Sequence, residues 1–378
     1  VGQPAARAID EQEFTQVKGV LGLELTLYTD ETGFAALRDE WNDLLRRSRF
    51  DTIFLTWEWQ TTWWRTLGVT RGPLYLLAVR ETDGSDRRLV GIAPLYFSHY
   101  DHPNTLHVVG CLEVADYLDL IIEAGCEEAV YAAFLDWLAG PTAPAWERVD
   151  LCNQPSRSLS YTRLPELARG RGWSAEVHQE DVCPVITLPA SGSNQTADPG
   201  FDGWEAYLAT LDKKERHEIR RKLRRIEREA PQSGVRYVRE RAGLEDAIRA
   251  FVTLHRLSSR DKDAFMDDLM QGFFQAIAAT LAEHGWLQLS FLEIEGAAIA
   301  SYFCFEYNNE VQVYNSGYDP QAYSQFSPGW VLLARLIEDA IRQGRARFDF
   351  LQGDEDYKHR FGGIDEPVYR TLIRRKDE

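Results

Sequence analysis

Between Phe348 and Gly363 the chain reads FDFLQGDEDYKHRFGG, which crowds a phenol, a lysine and several carboxylates into one short stretch. A phenol with an ordinary pKa near 10 can donate a proton or a hydrogen bond, but it is a poor base at neutral pH. That is the chemistry Tyr357 offers. Lys358 suits negative charge developing on an oxygen, and Asp354 or Glu355 suits a proton to be accepted. Asp349 sits between Phe348 and Phe350, a carboxylate on an otherwise apolar strand end. The plain alternative is a charged surface loop with a packed tyrosine. The order strand, charge, aromatics, then Gly362-Gly363 reads instead as the rim of a site.

Three further stretches carry chemistry. Along the basic helix Lys213 to Arg228 and the residues before it, an apolar stripe (Trp204, Leu208, Leu211, Ile219, Leu223, Ile226) is flanked by Arg216, Arg220, Arg221, Arg224, Arg225 and Arg228. Pairs such as Glu218 with Lys222 allow an ordinary solvated face. Like charges at i,i+4, such as Arg220 with Arg224, oppose each other, and in an acidic chain that points to an anionic partner. Arginine binds phosphate or carboxylate through a planar fork, and Arg216 and Arg220 are the candidates. In YDPQAYSQFSPGW, Ser327 and Pro328 mark a helix start, whose free N–H groups and positive dipole end suit a pyrophosphate. Tyr318 opens that stretch and joins the substrate-binding set. EVADYLDL offers Asp116, Tyr117 and Asp119. The tryptophans of FLTWEWQTTWWRTL read as core and interface packing, with a sugar-stacking platform as the sharper alternative.

The elements that must position these residues fall into two similar series. The first runs from the strand LELTLYT through helices at FAALRDEWNDLLRRS and WEWQTTWWRTL. It continues with strands PLYLLAVRE and RLVGIAPLYFS around TDGSD, extended segments at TLHVVG and YLDLIIEA, helix EEAVYAAFLDWLAG and strand ERVDLC. The second repeats the order from VRYVRE to VYRTLIRR, with a hairpin at Glu295-Gly296. Both read β-α-α-β-β-β-α-β, an internal duplication of one α/β unit. The Pro/Gly/Ser-rich stretch at 189–203 reads as a linker. The expected organisation is an extension over 1–22, a first domain over 23–188, the linker, and a second domain over 204–378 that opens with the basic helix.

At 378 residues, 44% hydrophobic and 27% charged, the chain reads as soluble and globular. A net charge of −17 argues against binding DNA through its whole surface. No apolar run approaches a membrane span and no signal-like segment opens the chain, so a cytoplasmic location is expected. Five scattered cysteines without C-x-x-C argue against a disulfide framework or a zinc site. The eight histidines show no metal spacing, and neither a G-x-S-x-G elbow nor a Walker loop occurs.

This order, with LATLDKKERHEIRRKLRRIEREA, SPGWVLLARLIEDAIRQG and FDFLQGDEDYKHRFGG, resembles the tandem GNAT acyltransferases: the BioF2-like and CelD-type acetyltransferases and the FemABX peptidoglycan-bridge enzymes. The resemblance spans about Leu23 to Arg375. It implies two GNAT-like domains, acyl-CoA as co-substrate without a metal, and transfer of an acyl group, acetyl foremost, to an amine. The acceptor would be an amino sugar or a cell-envelope precursor. It places Tyr357 where GNAT enzymes carry a tyrosine that protonates the departing thiolate. It puts the basic helix beside the substrate cleft and lets Asp116 and Tyr117 face the acceptor. It assigns coenzyme A to the Ser327 helix start through a Gly-rich loop, of which Gln325 and Gly329 are present and the glycine spacing is not. That departure leaves two alternatives: an aminoacyl-tRNA-dependent transferase acting on a peptidoglycan precursor, and a non-catalytic binding protein with the same fold.

Overall fold

The computed structural model describes residues 15–18, 22–82, 87–98, 102, 104–111, 114–189 and 202–375. Most of the extension expected over 1–22, most of the linker expected over 189–203 and the tip of the TDGSD turn lie outside the described residues. The strands are β1 (Thr15–Lys18), β2 (Leu23–Tyr28), β3 (Leu74–Glu81), β4 (Leu89–Ser98), β5 (Thr105–Val108), β6 (Ile121–Ile122), β7 (Arg148–Pro155), β8 (Ser174–Thr187), β9 (Gly234–Val238), β10 (Leu287–Ile294), β11 (Ala297–Tyr307), β12 (Glu310–Tyr318), β13 (Arg347–Asp349) and β14 (Ile364–Arg374). The helices are α1 (Thr32–Arg47), α2 (Trp57–Trp63), α3 (Glu127–Ala139), α4 (Ser160–Gly170), α5 (Gly203–Thr210), α6 (Lys213–Glu229), α7 (Leu244–Ser258), α8 (Arg260–Phe265), α9 (Asp268–Glu283), α10 (Pro328–Arg342) and α11 (Asp356–Arg360).

All the strands join one mixed sheet in the order β1-β2-β3-β4-β5-β7-β14-β8-β13-β12-β11-β10-β9, with β6 paired on β4. From the centre outward the ends mirror each other: β7-β5-β4-β3-β2 on one side, β13-β12-β11-β10-β9 on the other. The two halves exchange their final strands. β14 inserts between β7 and β8, and β8 crosses to pair with β13. The fold is α/β, two similar units in tandem, and the join between them is a continuous ladder of backbone hydrogen bonds.

Local chemistry explains the elements. In α1, Phe34, Leu37, Trp41, Leu44 and Leu45 recur at helical spacing and are all buried. Thr56 caps α2, its hydroxyl accepting the Trp59 N–H at 3.2 Å. Glu295 and Gly296 turn β10 into β11 with φ of 54° and 81°, the left-handed pair that a two-residue hairpin needs. Trp59 packs edge-on against Phe273 and Phe305 of the other half, at 5.7 and 5.5 Å between ring centroids. The tryptophans thus serve as core and seam. One apolar core lies against α1, α2, α3, α7 and α9 and draws on both halves. A second fills the opposite face of β11 to β13 under α5, α6 and α10.

The cysteines correct an expectation. Cys111 and Cys152 are joined by a disulfide, whereas Cys126, Cys183 and Cys304 are free. The pairing of β5 with β7 brings the first two together across 41 residues of sequence, a proximity that spacing alone does not reveal. Among the described residues no helix is long and apolar enough to cross a membrane.

Candidate functional site

β12 and β13 are parallel and pair only from Glu310–Gln312 to Arg347–Asp349. Beyond Gln312 the strands part, and an irregularity in the β11–β12 register between Phe303 and Cys304 bends β12 further. The gap opens toward the start of α10. There Ser324–Phe326 forms a tight turn, Ser327 takes φ of 53°, and Pro328 occupies the first helical turn. The result is a cleft of about 430 Å³ between the free length of β12, the α10 start and the Glu355–Tyr357 segment.

Tyr357, Ser327, Gly329 and Tyr318 from the expected site line this cleft, and Glu355 joins them. Tyr357 stands edge-on to Phe350 at 6.1 Å, and burial pushes its phenol pKa up, so it stays protonated. A Cβ added to Gly329 would meet nothing within 4 Å, so this residue leaves room at the helix start.

Other expected residues lie elsewhere. Lys358 does not present its ammonium to the cleft. It is 2% exposed and its Nζ donates to the carbonyls of Leu351 (3.0 Å), Gln352 (2.8 Å) and Gly353 (3.0 Å). It also pairs with Glu355 at 2.9 Å. A charge this buried needs all its donors satisfied, so Lys358 shapes the turn and holds Glu355. Asp354 is exposed and bonded to His359 at 2.8 Å, away from the cleft. Gln325 is exposed and offers only its backbone carbonyl, to Arg225 at 2.9 Å. Arg216 reaches the last carbonyls of α5 and Arg220 pairs with Glu205. Both line a groove of about 650 Å³ on the outer side of α6, separate from the cleft.

Asp349, Asp116 and Tyr117 gather at the seam between the halves. The Tyr117 hydroxyl donates to Asp349 Oδ2 at 2.9 Å, and the Leu351 N–H donates to Oδ1 at 2.7 Å. Burial pushes the Asp349 carboxyl up to about 6 despite these bonds. Burial pushes Asp116 up to about 7; Lys358 opposes that shift, Asp349 adds to it, and the Gln352 N–H bonds to the carboxyl. Asp349 and Tyr117 border a small polar cavity of about 70 Å³ shared with Arg347 and Glu310. Burial likewise raises Glu310 to about 7.

Sequence reasoning missed two lysines. Lys222 donates to Ser327 Oγ at 2.6 Å, with its ammonium 5.3 Å from the Trp330 ring centroid. It borders the apolar stripe at Ile219 and Ile226, so it leans toward whatever the stripe packs on; that signal was present in the periodicity. Lys262 on α8 reaches the cleft wall at Ser316. Only the packing of α7 on β12 brings it there.

Residues 213–359 match the family described as Acetyltransferase (GNAT) domain. This part of the chain is similar to a GNAT domain. The match takes in α6, the open edge of β12, the α10 start and Tyr357, so it spans the cleft. Among solved structures, FemX superposes at a TM-score of 0.60 with 12% identity, over 88% of this chain and 95% of that one. A conserved protein of unknown function from Bacteroides thetaiotaomicron VPI-5482 gives 0.52 with 11% identity, over 90% and 97%. A tandem GNAT protein from the clavulanic acid biosynthesis pathway gives 0.46 with 11% identity, over 94% and 100%. No curated protein matches the sequence. The FemX likeness concerns the fold alone and extends over both units of the chain.

Proposed function

We propose that this protein transfers an acyl group, acetyl in the simplest case, from acyl-CoA in the β12–α10 cleft to an amine. The observation that carries the reading is the cleft itself. It forms where two parallel strands diverge, it ends on a helix N-terminus, and a half-buried, protonated tyrosine faces it. The fit to coenzyme A is good at the α10 start. Helix N–H groups suit phosphate oxygens, Lys222 stands beside Ser327, and Gly329 leaves open space. Lys222 and Arg225 bring to this turn the positive charge that supports phosphate binding without a glycine-rich loop.

Acyl-CoA supplies an acyl group already activated as a thioester. The chain's own residues position and move protons. Tyr357 holds a proton at its phenol oxygen for the departing sulfur. Glu355, fixed by Lys358, is a carboxylate on the cleft wall that can take the amine proton. A fixed geometry accounts for much of the barrier lowering in direct transfer between two bound reactants. Thiol release measured on wild type and Tyr357→Phe tests the assignment. Loss of turnover with binding retained supports it, and unchanged turnover removes Tyr357 from the chemistry.

A second reading has its own observation. The outer groove of α6 gathers Arg216, Arg220, Arg221 and Arg224 in a chain of net charge −17. That local charge suits a polyanion, in line with an aminoacyl-tRNA donor and a peptidoglycan precursor as acceptor. It predicts RNA binding that weakens steeply with salt.

A further inference from the structure

With Lys358 turned inward, the cleft wall is left with Lys262. Its backbone is fixed by the Ser259 hydroxyl, which accepts the Lys262 N–H at 3.2 Å. Its Nζ donates to the Ser316 carbonyl at 2.6 Å and to the Ser316 hydroxyl at 3.2 Å. An ammonium has three N–H donors, so one remains beyond these two contacts. Two acids line the same cleft: Glu355 is ion-paired with Lys358, and Asp319 accepts the N–H groups of Gln321 and Ala322 at 2.8 and 3.2 Å. Among the described residues Lys262 forms no ion pair. Its position is also rigid. A Cβ on Gly317 would lie 2.3 Å from the His255 backbone nitrogen, so β12 rests directly on α7 just before the chain enters α8.

Glu355 acts on this ammonium across the cleft but is already ion-paired with Lys358, and a partly buried cation with no direct ion pair of its own is costly unless a ligand brings the missing charge. Ser316 also lies on the length of β12 that β13 leaves unpaired, where an extended ligand has room to run along the strand. We propose that Lys262 binds an anionic group of the acyl donor, either a carboxylate on its acyl chain or one of its phosphates. The assignment rests on reading the cleft as the donor site. It gives the cleft a preference: a charged acyl chain if the group is a carboxylate, added affinity for every coenzyme A thioester if it is a phosphate.

The test is calorimetric titration of wild type, Lys262→Gln and Lys262→Arg with coenzyme A, acetyl-CoA, succinyl-CoA, inorganic pyrophosphate and succinate. Glutamine can still donate to Ser316, so thermal stability should hold. Loss of one charge-assisted contact should weaken binding about tenfold or more in Lys262→Gln, with Lys262→Arg close to wild type. If the group is a carboxylate, only succinyl-CoA and succinate weaken. If it is a phosphate, all three coenzyme A compounds and pyrophosphate weaken together. Binding of every probe to Lys262→Gln as to wild type overturns the assignment. If wild type binds no coenzyme A compound, the donor reading fails separately. The lysine's anion role then stands only on Lys262-dependent binding of succinate or pyrophosphate, and falls if neither binds.

Discussion

Tyr357 and Lys358 are consecutive in α11, yet one faces the cleft and the other turns into the protein, and their variants should separate accordingly. Tyr357→Phe should keep fold and donor affinity while turnover falls about a hundredfold, the usual size of a lost proton donor; thiol-release kinetics check this. Lys358→Met should instead unfold more easily, by about 2–4 kcal/mol, because three carbonyls lose a charged donor and Glu355 loses its partner. Denaturant titration reads that loss, and a variant of wild-type stability would contradict the buried geometry. Asp349 has a pH signature. Its folded pKa of about 6 lies above the ordinary value near 3.9. The folded state therefore holds the proton more tightly, and this stabilisation is present in acid and lost as pH rises through about 6. The change is on the order of 2–3 kcal/mol at most. Asp116 and Glu310, both raised to about 7, act in the same direction. His255, lowered to about 4 by burial, acts oppositely as pH falls below its ordinary value. Asp349→Asn should therefore flatten the decline of thermal stability between about pH 4 and 7 relative to wild type. An identical slope would place the titration elsewhere.

Among elements, the contact of β12 with α7 sets both the opening of the cleft and the reach of Lys262. Gly317→Ala would drive a methyl into the α7 backbone at Leu254 and His255, which helix carbonyls and amides cannot yield as a flexible side chain can. A loss of about 1–3 kcal/mol is expected, with donor affinity falling in step; a neutral effect on both would mean that α7 is free to move. At this scale the sequence was informative where burial is periodic. Phe34, Leu37, Trp41, Leu44 and Leu45 announced α1, Ser327-Pro328 announced α10, and the Glu295-Gly296 turn announced its hairpin. The sequence was silent where two segments meet through the sheet. Nothing in the spacing of Asp349, Asp116 and Tyr117 says that they share a buried seam, since strand exchange brings them together. Lys358 misled for a related reason. A lysine in a charged run looks solvated, and only the three carbonyls left by the turn after β13 explain its burial.

The whole molecule is two similar units that share one sheet and trade their last strands. β14 completes the first unit and β8 the second, so each unit depends on the other for a central strand. Expressed apart, residues 1–188 and 204–378 should each remain unfolded or aggregate. Co-expressed, they should assemble into a stable complex, as circular dichroism and size-exclusion chromatography would show. Two independently folded halves would contradict the exchange. The cleft belongs to the second unit but is braced by this shared sheet, and the central claim is that the cleft holds the acyl donor. Titration of coenzyme A into wild type and Gly329→Trp tests that claim most directly, because Gly329 opens onto free space at the α10 start and a bulky side chain there fills the cleft without straining the backbone. The account predicts saturable binding to wild type and at least about tenfold weaker binding to Gly329→Trp at unchanged thermal stability. Equal affinity in the two proteins, or no binding to wild type, would contradict it.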